Sequence, residues 1–122
     1  MTTVKQMYSA YEIADRIDVL AAEIAAEISS HLTVIGVLKG SFIFLADLVR
    51  ALDRAGLPCR VEFLRLSSYG NKQKASGDVV LIGGYPDVDS DGTILLVDDI
   101  VDTGNSITYA INLLKAGSTM KI

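Results

Sequence analysis

The chain has 122 residues, of which 50% are hydrophobic and 21% are charged. This length fits a single domain, residues 1–122, and the apolar fraction excludes an intrinsically disordered chain. Eleven basic and fifteen acidic residues give a net charge of -4, which argues against a nucleic-acid binder that works by positive charge. The single cysteine, Cys59, excludes an internal disulfide and a cysteine metal cluster. The polar N-terminus and the lack of a long apolar run predict a cytoplasmic protein without a membrane span.

The first half of the chain predicts a helix, a buried strand and a second helix. Ser9 and Glu12 form the Ser-x-x-Glu pattern that begins a helix, and isoleucines follow it at helical spacing. The next apolar run is short and rich in β-branched residues, as in a strand that is buried on both faces. A stripe of apolar residues that ends at Gly56 then predicts the second helix. The predicted elements are a helix from Ser9 to residues 29–30, a strand Leu32–Leu38 and a helix Phe42–Ala55.

The second half predicts three short strands and one more helix. These are the strands Arg60–Leu66, Val79–Ile82 and Thr93–Val97, the helix Ser106–Ala116 and the start of a further strand at Thr119–Ile122. Strands that alternate with helices favour a three-layer α/β domain with a mostly parallel central sheet. Since the chain stops inside a predicted strand, we expect that C-terminal material is missing and that the domain is incomplete.

The segment Thr93–Ser106 carries the strongest functional pattern. Asp98 and Asp99 follow a predicted strand, and ligands of open α/β sheets bind at the carboxyl ends of strands. A turn with a central glycine then leads into a helix, whose first amides and neighbouring hydroxyls suit a phosphate. Carboxylates that accept from a diol or hold Mg²⁺, next to an anion site, favour a phosphorylated sugar as ligand. The alternative is a strand that ends in solvated acids before an ordinary helix cap.

A second acidic pattern is spaced like a calcium-binding loop, but its flanking segments do not suit one. Asp87, Asp89, Asp91 and Gly92 are spaced as in a calcium-binding loop between two helices. The flanking segments here are strand-like, so we interpret the aspartates as part of a polar turn between strands.

The segment Ile94–Ser106 resembles the ribose-phosphate fingerprint of type I phosphoribosyltransferases. It has aliphatic residues at Ile94–Val97, the acids Asp98 and Asp99, two more aliphatics, and Asp-Thr-Gly-Asn-Ser at 102–106. Leu38–Ser41 is similar to the pyrophosphate loop of that family, and Ser68-Tyr69 to the start of its closing loop. Together with Arg65, these motifs resemble the hypoxanthine/guanine branch.

The resemblance implies a role for each matching residue. Asp98 and Asp99 would bind the ribose hydroxyls of phosphoribosyl pyrophosphate with Mg²⁺, and Asp102 would face N7 of the purine as general base. The 5′-phosphate would be held by Asp102, Thr103, Gly104, Asn105 and Ser106, the pyrophosphate by Lys39, Gly40 and Arg65, and the lid would carry Ser68 and Tyr69 within Ser67–Asp78. The peptide bond between Leu38 and Lys39 is cis in such enzymes.

The implied activity is purine salvage, in which hypoxanthine or guanine reacts with phosphoribosyl pyrophosphate to give IMP or GMP and pyrophosphate. The resemblance also implies a homodimer or homotetramer. The purine pocket of the family is formed largely by residues after the point that corresponds to Ile122, so we expect little turnover from this chain alone. The alternative is a non-catalytic module of the same fold that binds phosphoribosyl pyrophosphate or a nucleotide as a signal. Asp102, Lys39 and the predicted lid favour the enzyme, and the base preferred among hypoxanthine, guanine and xanthine is left open.

Overall fold

A computed structural model describes residues 3–29, 31–68, 79–88, 92–101 and 104–116. The described residues form α1 (Ala10–Glu27), β1 (Leu32–Leu38), α2 (Phe42–Arg54), β2 (Arg60–Ser68), β3 (Val79–Ile82), β4 (Thr93–Val97) and α3 (Asn105–Ala116). The predicted order of elements is confirmed, whereas the strand predicted at Thr119–Ile122 lies outside the described residues.

The four described strands form one sheet in the order β3-β2-β1-β4. β1 pairs in parallel with both β2 and β4, and β3 runs antiparallel to β2. The prediction of a mostly parallel sheet is therefore confirmed, with an antiparallel strand at one edge.

The antiparallel edge corrects one predicted boundary. The first two residues of the predicted lid Ser67–Asp78 belong to a strand, because Ser67 and Ser68 continue β2 and pair with Val80 and Val79 of β3. A polar side chain is acceptable in a strand whose hydrogen bonds come from the backbone, so composition alone placed the end of β2 too early. Residues 69–78, which include the predicted lid residue Tyr69, lie outside the described part of the chain.

Helices cover both faces of the sheet, which confirms the three-layer prediction. Side chains alternate between the two faces along a strand. Val34 of β1 therefore packs on one face with α1 and α2, while its neighbour Ile35 packs on the other face with α3. Both residues are fully buried.

The helix α1 begins as predicted. The Ser9 hydroxyl accepts from the amide of Glu12 at 3.1 Å, and the Glu12 carboxylate accepts from the amide of Ser9 at 3.0 Å.

Two tyrosine hydroxyls attach α3 to the edge of the sheet. The amide of Leu81 in β3 donates to the hydroxyl of Tyr109 at 3.2 Å. The hydroxyl of Tyr85, in the segment after β3, donates to the carbonyls of Leu113 and Leu114 at 3.2 and 3.3 Å. These bonds satisfy polar groups at a strand edge and at a helix end. They fix the position of the helix that follows β4.

Gly36 lets α2 pack closely on β1. A Cβ atom at this position would collide with the side chain of Leu45 and would lie 3.1 Å from the hydroxyl oxygen of Ser41. Leu45 and Ser41 are both buried, so neither has free space into which it could move.

We predict that Gly36→Ala lowers the free energy of unfolding by about 1–3 kcal/mol, because a methyl group would overpack this contact. Gly84→Ala is the matched control, since nothing lies within 4 Å of a Cβ atom there. The control should change stability by less than about 0.5 kcal/mol. Urea denaturation of both variants measures the difference, and equal stability losses would contradict the proposed overpacking.

Candidate functional site

Three predicted site segments meet at the edge of the sheet that is formed by the carboxyl ends of the parallel strands β1 and β4. Parallel pairing places Leu38, at the end of β1, beside Arg65 of β2, and places Gly36 beside Val97, the last residue of β4. Lys39 directly follows β1 and Asp98 directly follows β4, so both emerge at the edge where Arg65 lies. The sequence prediction that ligands bind at this edge thus has a concentration of charged groups to support it.

The loop after β1 lies directly against the acidic pair. A Cβ atom on Gly40 would lie 2.8 Å from Cγ of Asp99 and 3.1 Å from its Oδ1. Any side chain at position 40 would therefore displace the Asp99 carboxylate or the loop. Lys39 and Gly40 are both exposed, which leaves the loop open to a ligand. The peptide bond between Leu38 and Lys39 is cis, as the resemblance implies.

The two carboxylates are held in place by backbone amides. The amide of Asp99 donates to Oδ1 of Asp98 at 2.8 Å, and the amide of Ile100 donates to Oδ1 of Asp99 at 2.8 Å. Burial raises the pKa of Asp98 above its ordinary value. The amide of Asp99 opposes this shift, and the Asp99 side chain adds to it through a hydrogen bond and through its charge. Burial and the neighbouring Asp99 side chain therefore disfavour the ionised form of Asp98, and the amide of Asp99 favours it.

The sequence predicts no role for Ile100 and Val101 beyond the two aliphatic positions that they fill in the fingerprint. The structure leaves 72% of Ile100 and 63% of Val101 exposed, beside the acidic pair. These residues lie beyond the end of β4, where the sheet no longer buries side chains. The feature of the sequence that could have indicated this exposure is the position of two aliphatic residues directly after a strand and its two acids. They give the site an apolar surface next to its charged groups.

The turn into α3 is the fourth part of the site. Gly104 has a φ of +84°, a backbone conformation that side chains other than glycine rarely adopt. The amide of Thr108 donates to the carbonyl of Gly104 at 2.9 Å, which begins the helix there. α3 starts at Asn105, one residue before the prediction, and its N-terminal end carries the positive end of the helix dipole. Asp102 and Thr103 lie outside the described residues.

Two other surface features do not belong to this edge. Grooves of about 340 and 620 Å³ are lined by α1 and α2 together with Tyr8, and by none of the predicted site residues.

Asp87 is the aspartate of the calcium-like pattern that lies among the described residues. It pairs with Arg60, at the start of β2, at 3.1 Å. This pairing and the flanking strands support the interpretation of a polar turn.

The described residues contain no group of three His, Cys, Asp or Glu side chains placed to hold a metal ion. Within the same ranges, none of the helices has the length and apolar character that crossing a membrane requires.

Comparison with known proteins identifies the family. The model of the phosphoribosyl transferase domain matches residues 3–122, and the chain belongs to this family. Within the family, the chain is similar to hypoxanthine-guanine phosphoribosyltransferases. The relative from Aquifex aeolicus is 48% identical over 96 residues, which cover 76% of this chain and 52% of that protein. The relative from Bacillus subtilis is 33% identical over 112 residues, which cover 91% of this chain and 61% of that protein.

Solved structures support the same family and fold. The hypoxanthine-guanine phosphoribosyl transferase of L. donovani has a TM-score of 0.83 and 32% identity, covering 95% of this chain and 70% of that chain. The hypoxanthine phosphoribosyltransferase of Trypanosoma cruzi, in complex with the product IMP, has a TM-score of 0.76 and 32% identity, covering 95% and 68% of the two chains. The predicted resemblance and fold class are confirmed. The chain spans about half to three fifths of the two curated relatives described above.

We predict that Asp98→Asn raises the melting temperature of the ligand-free protein near neutral pH. A carboxyl with a raised pKa in the folded state stabilises the fold only while it is protonated, and this contribution is lost as the pH rises through the folded pKa. Asparagine removes the partly buried charge and keeps an acceptor for the amide of Asp99.

Thermal denaturation in the presence of a chelator, at about pH 7.5 and about pH 3, measures the effect. The gain should vanish at the lower pH, where both folded and unfolded Asp98 are protonated. Asp15→Asn, at an exposed position of α1, is the control and should show no comparable gain. A lower melting temperature for Asp98→Asn at neutral pH would contradict the argument.

Proposed function

We propose that the protein transfers the 5-phosphoribosyl group of phosphoribosyl pyrophosphate to hypoxanthine or guanine, forming IMP or GMP and pyrophosphate. The observation that carries this proposal is the contact between Gly40 and the carboxylate of Asp99. Phosphoribosyl pyrophosphate bears its pyrophosphate on C1 of the ribose, on the same face of the ring as the 2- and 3-hydroxyls. A basic loop packed against an acidic pair matches that arrangement of anion and diol.

We assign the ligand groups to the site as follows. Asp98 and Asp99 accept hydrogen bonds from the ribose hydroxyls, and Lys39, Gly40 and Arg65 bind the pyrophosphate. Across the sugar, the turn at the start of α3 binds the 5′-phosphate, since helix N-termini favour anions. The residues proposed for the 5′-phosphate are Asp102, Thr103, Gly104, Asn105 and Ser106.

The acidic pair fits a magnesium ion that arrives with the substrate. Mg²⁺ is usually bound through one or two carboxylates together with substrate oxygens, so the absence of a third acidic ligand among the described residues is no obstacle. Asp98 and Asp99 are the residues that would hold it. When bound, the ion neutralises part of the pyrophosphate charge.

The remaining residues act on the charges that develop during transfer. Cleavage of the C1–O bond leaves positive charge on the ribose and negative charge on the departing pyrophosphate. Lys39 and Arg65 stabilise the leaving group, and the carboxylate of Asp99 lies on the side of the ribose. Asp102 accepts the proton from N7 of the purine as general base. The exposed side chains of Ile100 and Val101 offer an apolar surface to the flat base.

Exclusion of water is the last requirement of this chemistry, because an activated ribose otherwise hydrolyses. We propose that Ser68 and Tyr69 belong to a segment that closes over the bound substrate. Ser68 is the last residue of β2, the strand that also carries Arg65, so a segment that follows Ser68 begins near the proposed site. A cytoplasmic homodimer or homotetramer is the proposed form of the protein.

We predict phosphoribosyl transfer to hypoxanthine or guanine in a spectrophotometric assay that also offers xanthine, adenine and uracil. Mg²⁺ should be required. The assay uses the 122-residue chain and a fusion that adds the C-terminal part of the Aquifex aeolicus relative, which separates a missing base pocket from a wrong assignment. Activity on adenine or uracil alone would contradict the proposed branch. Binding of phosphoribosyl pyrophosphate without turnover of any base, in both forms, would instead support a regulatory binding module.

In the fusion that restores the C-terminal part, we predict that Asp102→Asn lowers kcat by roughly 10²–10⁴, the usual range for the loss of a general acid or base, with little change in the affinity for phosphoribosyl pyrophosphate. Asp99→Asn is the comparison, because it should weaken the binding of substrate or Mg²⁺ instead. Steady-state kinetics and calorimetry separate the two effects. An unchanged kcat for Asp102→Asn would remove Asp102 from its proposed role.

A further inference from the structure

The hydroxyl of Ser41 has a use that its position in the sequence does not suggest. Ser41 precedes α2, where a serine commonly caps the helix through its side chain. No such bond forms here, and the backbone of Ser41 is already helical, with φ -79° and ψ -11°. The hydroxyl donates instead to the carbonyl of Val37 at 2.6 Å, and Ser41 is fully buried. This bond closes the loop that contains Lys39 and Gly40.

Ser41 also connects the loop to α2. The amide of Leu45 donates to the carbonyl of Ser41 at 2.8 Å, which is the first bond of that helix. Within the loop, the amide of Phe42 donates to the carbonyl of Lys39 at 3.3 Å. Ser41 is therefore attached to β1 through its side chain and to α2 through its backbone.

Gly36 provides the space that this arrangement needs. A Cβ atom at position 36 would lie 3.1 Å from the hydroxyl oxygen of Ser41, so a larger residue in β1 would press against the hydroxyl that bonds to Val37. The pairing of β1 with β4 ends at Gly36 and Val97, one residue before Val37. The Ser41–Val37 bond thus holds the end of β1 at the place where that pairing stops.

We infer that Ser41 is a positioning residue for pyrophosphate binding: it holds Gly40 in place against Asp99, and the neighbouring Lys39 with it, before the ligand arrives. A loop that is already ordered loses less conformational freedom on binding than a mobile one, and so binds more tightly. Without the hydroxyl, the carbonyl of Val37 loses a buried donor, and the far end of the loop is no longer hydrogen-bonded to β1. This inference rests on the proposed function, in which Lys39 and Gly40 bind the pyrophosphate.

The test is the affinity of Ser41→Ala for three ligands, measured by calorimetry with Mg²⁺ present: pyrophosphate, phosphoribosyl pyrophosphate and ribose 5-phosphate. We expect binding of the first two to weaken roughly 3- to 10-fold, the range for loss of one buried neutral hydrogen bond. Ribose 5-phosphate has no pyrophosphate, and its affinity should change less than about twofold. Ser41→Cys keeps the size of the side chain and a weak donor, so it should fall between the wild type and alanine.

Ser9→Ala is the matched control. It also removes a serine hydroxyl and its hydrogen bond of 3.1 Å, but at the start of α1. It should lower stability and leave all three affinities unchanged.

The outcomes separate the inference from the proposed function. If the wild type binds neither pyrophosphate nor phosphoribosyl pyrophosphate, the proposed function fails. If the wild type binds both and Ser41→Ala binds them equally well, only the positioning role fails. An equal loss for ribose 5-phosphate, or the same loss in Ser9→Ala, would reduce Ser41 to general stabilisation and overturn the inference. Should the alanine variant not fold, the cysteine variant decides by the same comparison.

Discussion

The contact between Gly40 and the carboxylate of Asp99 is the constraint on which the site depends. It brings together a loop that follows β1 and an acidic pair that follows β4, two segments far apart in the sequence. Such a contact forms only if the two strands are neighbours, parallel and correctly in register. A shift of register by one residue would turn each buried side chain of the strand toward the opposite face, so the two packed faces of β1 protect the site as well as the fold.

Burial of side chains on both faces of the sheet stabilises this register of β1. Val34 packs with α1 and α2 and Ile35 packs with α3, so each layer of helices stabilises the same alignment of β1. The helix α3 adds a second constraint through the hydroxyls of Tyr109 and Tyr85, which fix it to the sheet edge. The helix that follows the proposed phosphate-binding turn at Gly104 is therefore held against β3 and the segment after it, at its middle and near its C-terminal end.

Patterns in the sequence predicted the elements because the periodicity of apolar residues is strong in each of them. The capping box at Ser9, the buried run of β1 and the stop of α2 near Gly56 were readable locally. The end of β2 was not, because Ser67 and Ser68 owe their strand conformation to pairing with β3 rather than to their side chains. The hydrogen bond of the Ser41 hydroxyl could not be predicted for the same kind of reason, because it reaches Val37 across a loop whose path the sequence does not specify.

The sequence predicted which residue types form the candidate site, but not which of their side chains are exposed or how they pack on one another. The acids and the glycine turn showed that an anion and a diol could bind near each other, whereas the exposure of Ile100 and the packing of Gly40 on Asp99 depend on where β4 ends in space. Net charge misleads in this respect. A chain of charge -4 is poorly suited to attract a polyanion at long range, yet screening restricts charge effects to within about 8–10 Å under physiological salt. In the proposed function, recognition of the pyrophosphate then depends on Lys39, Arg65 and backbone amides near the ligand, and so on the geometry of the loop more than on the sum of charges.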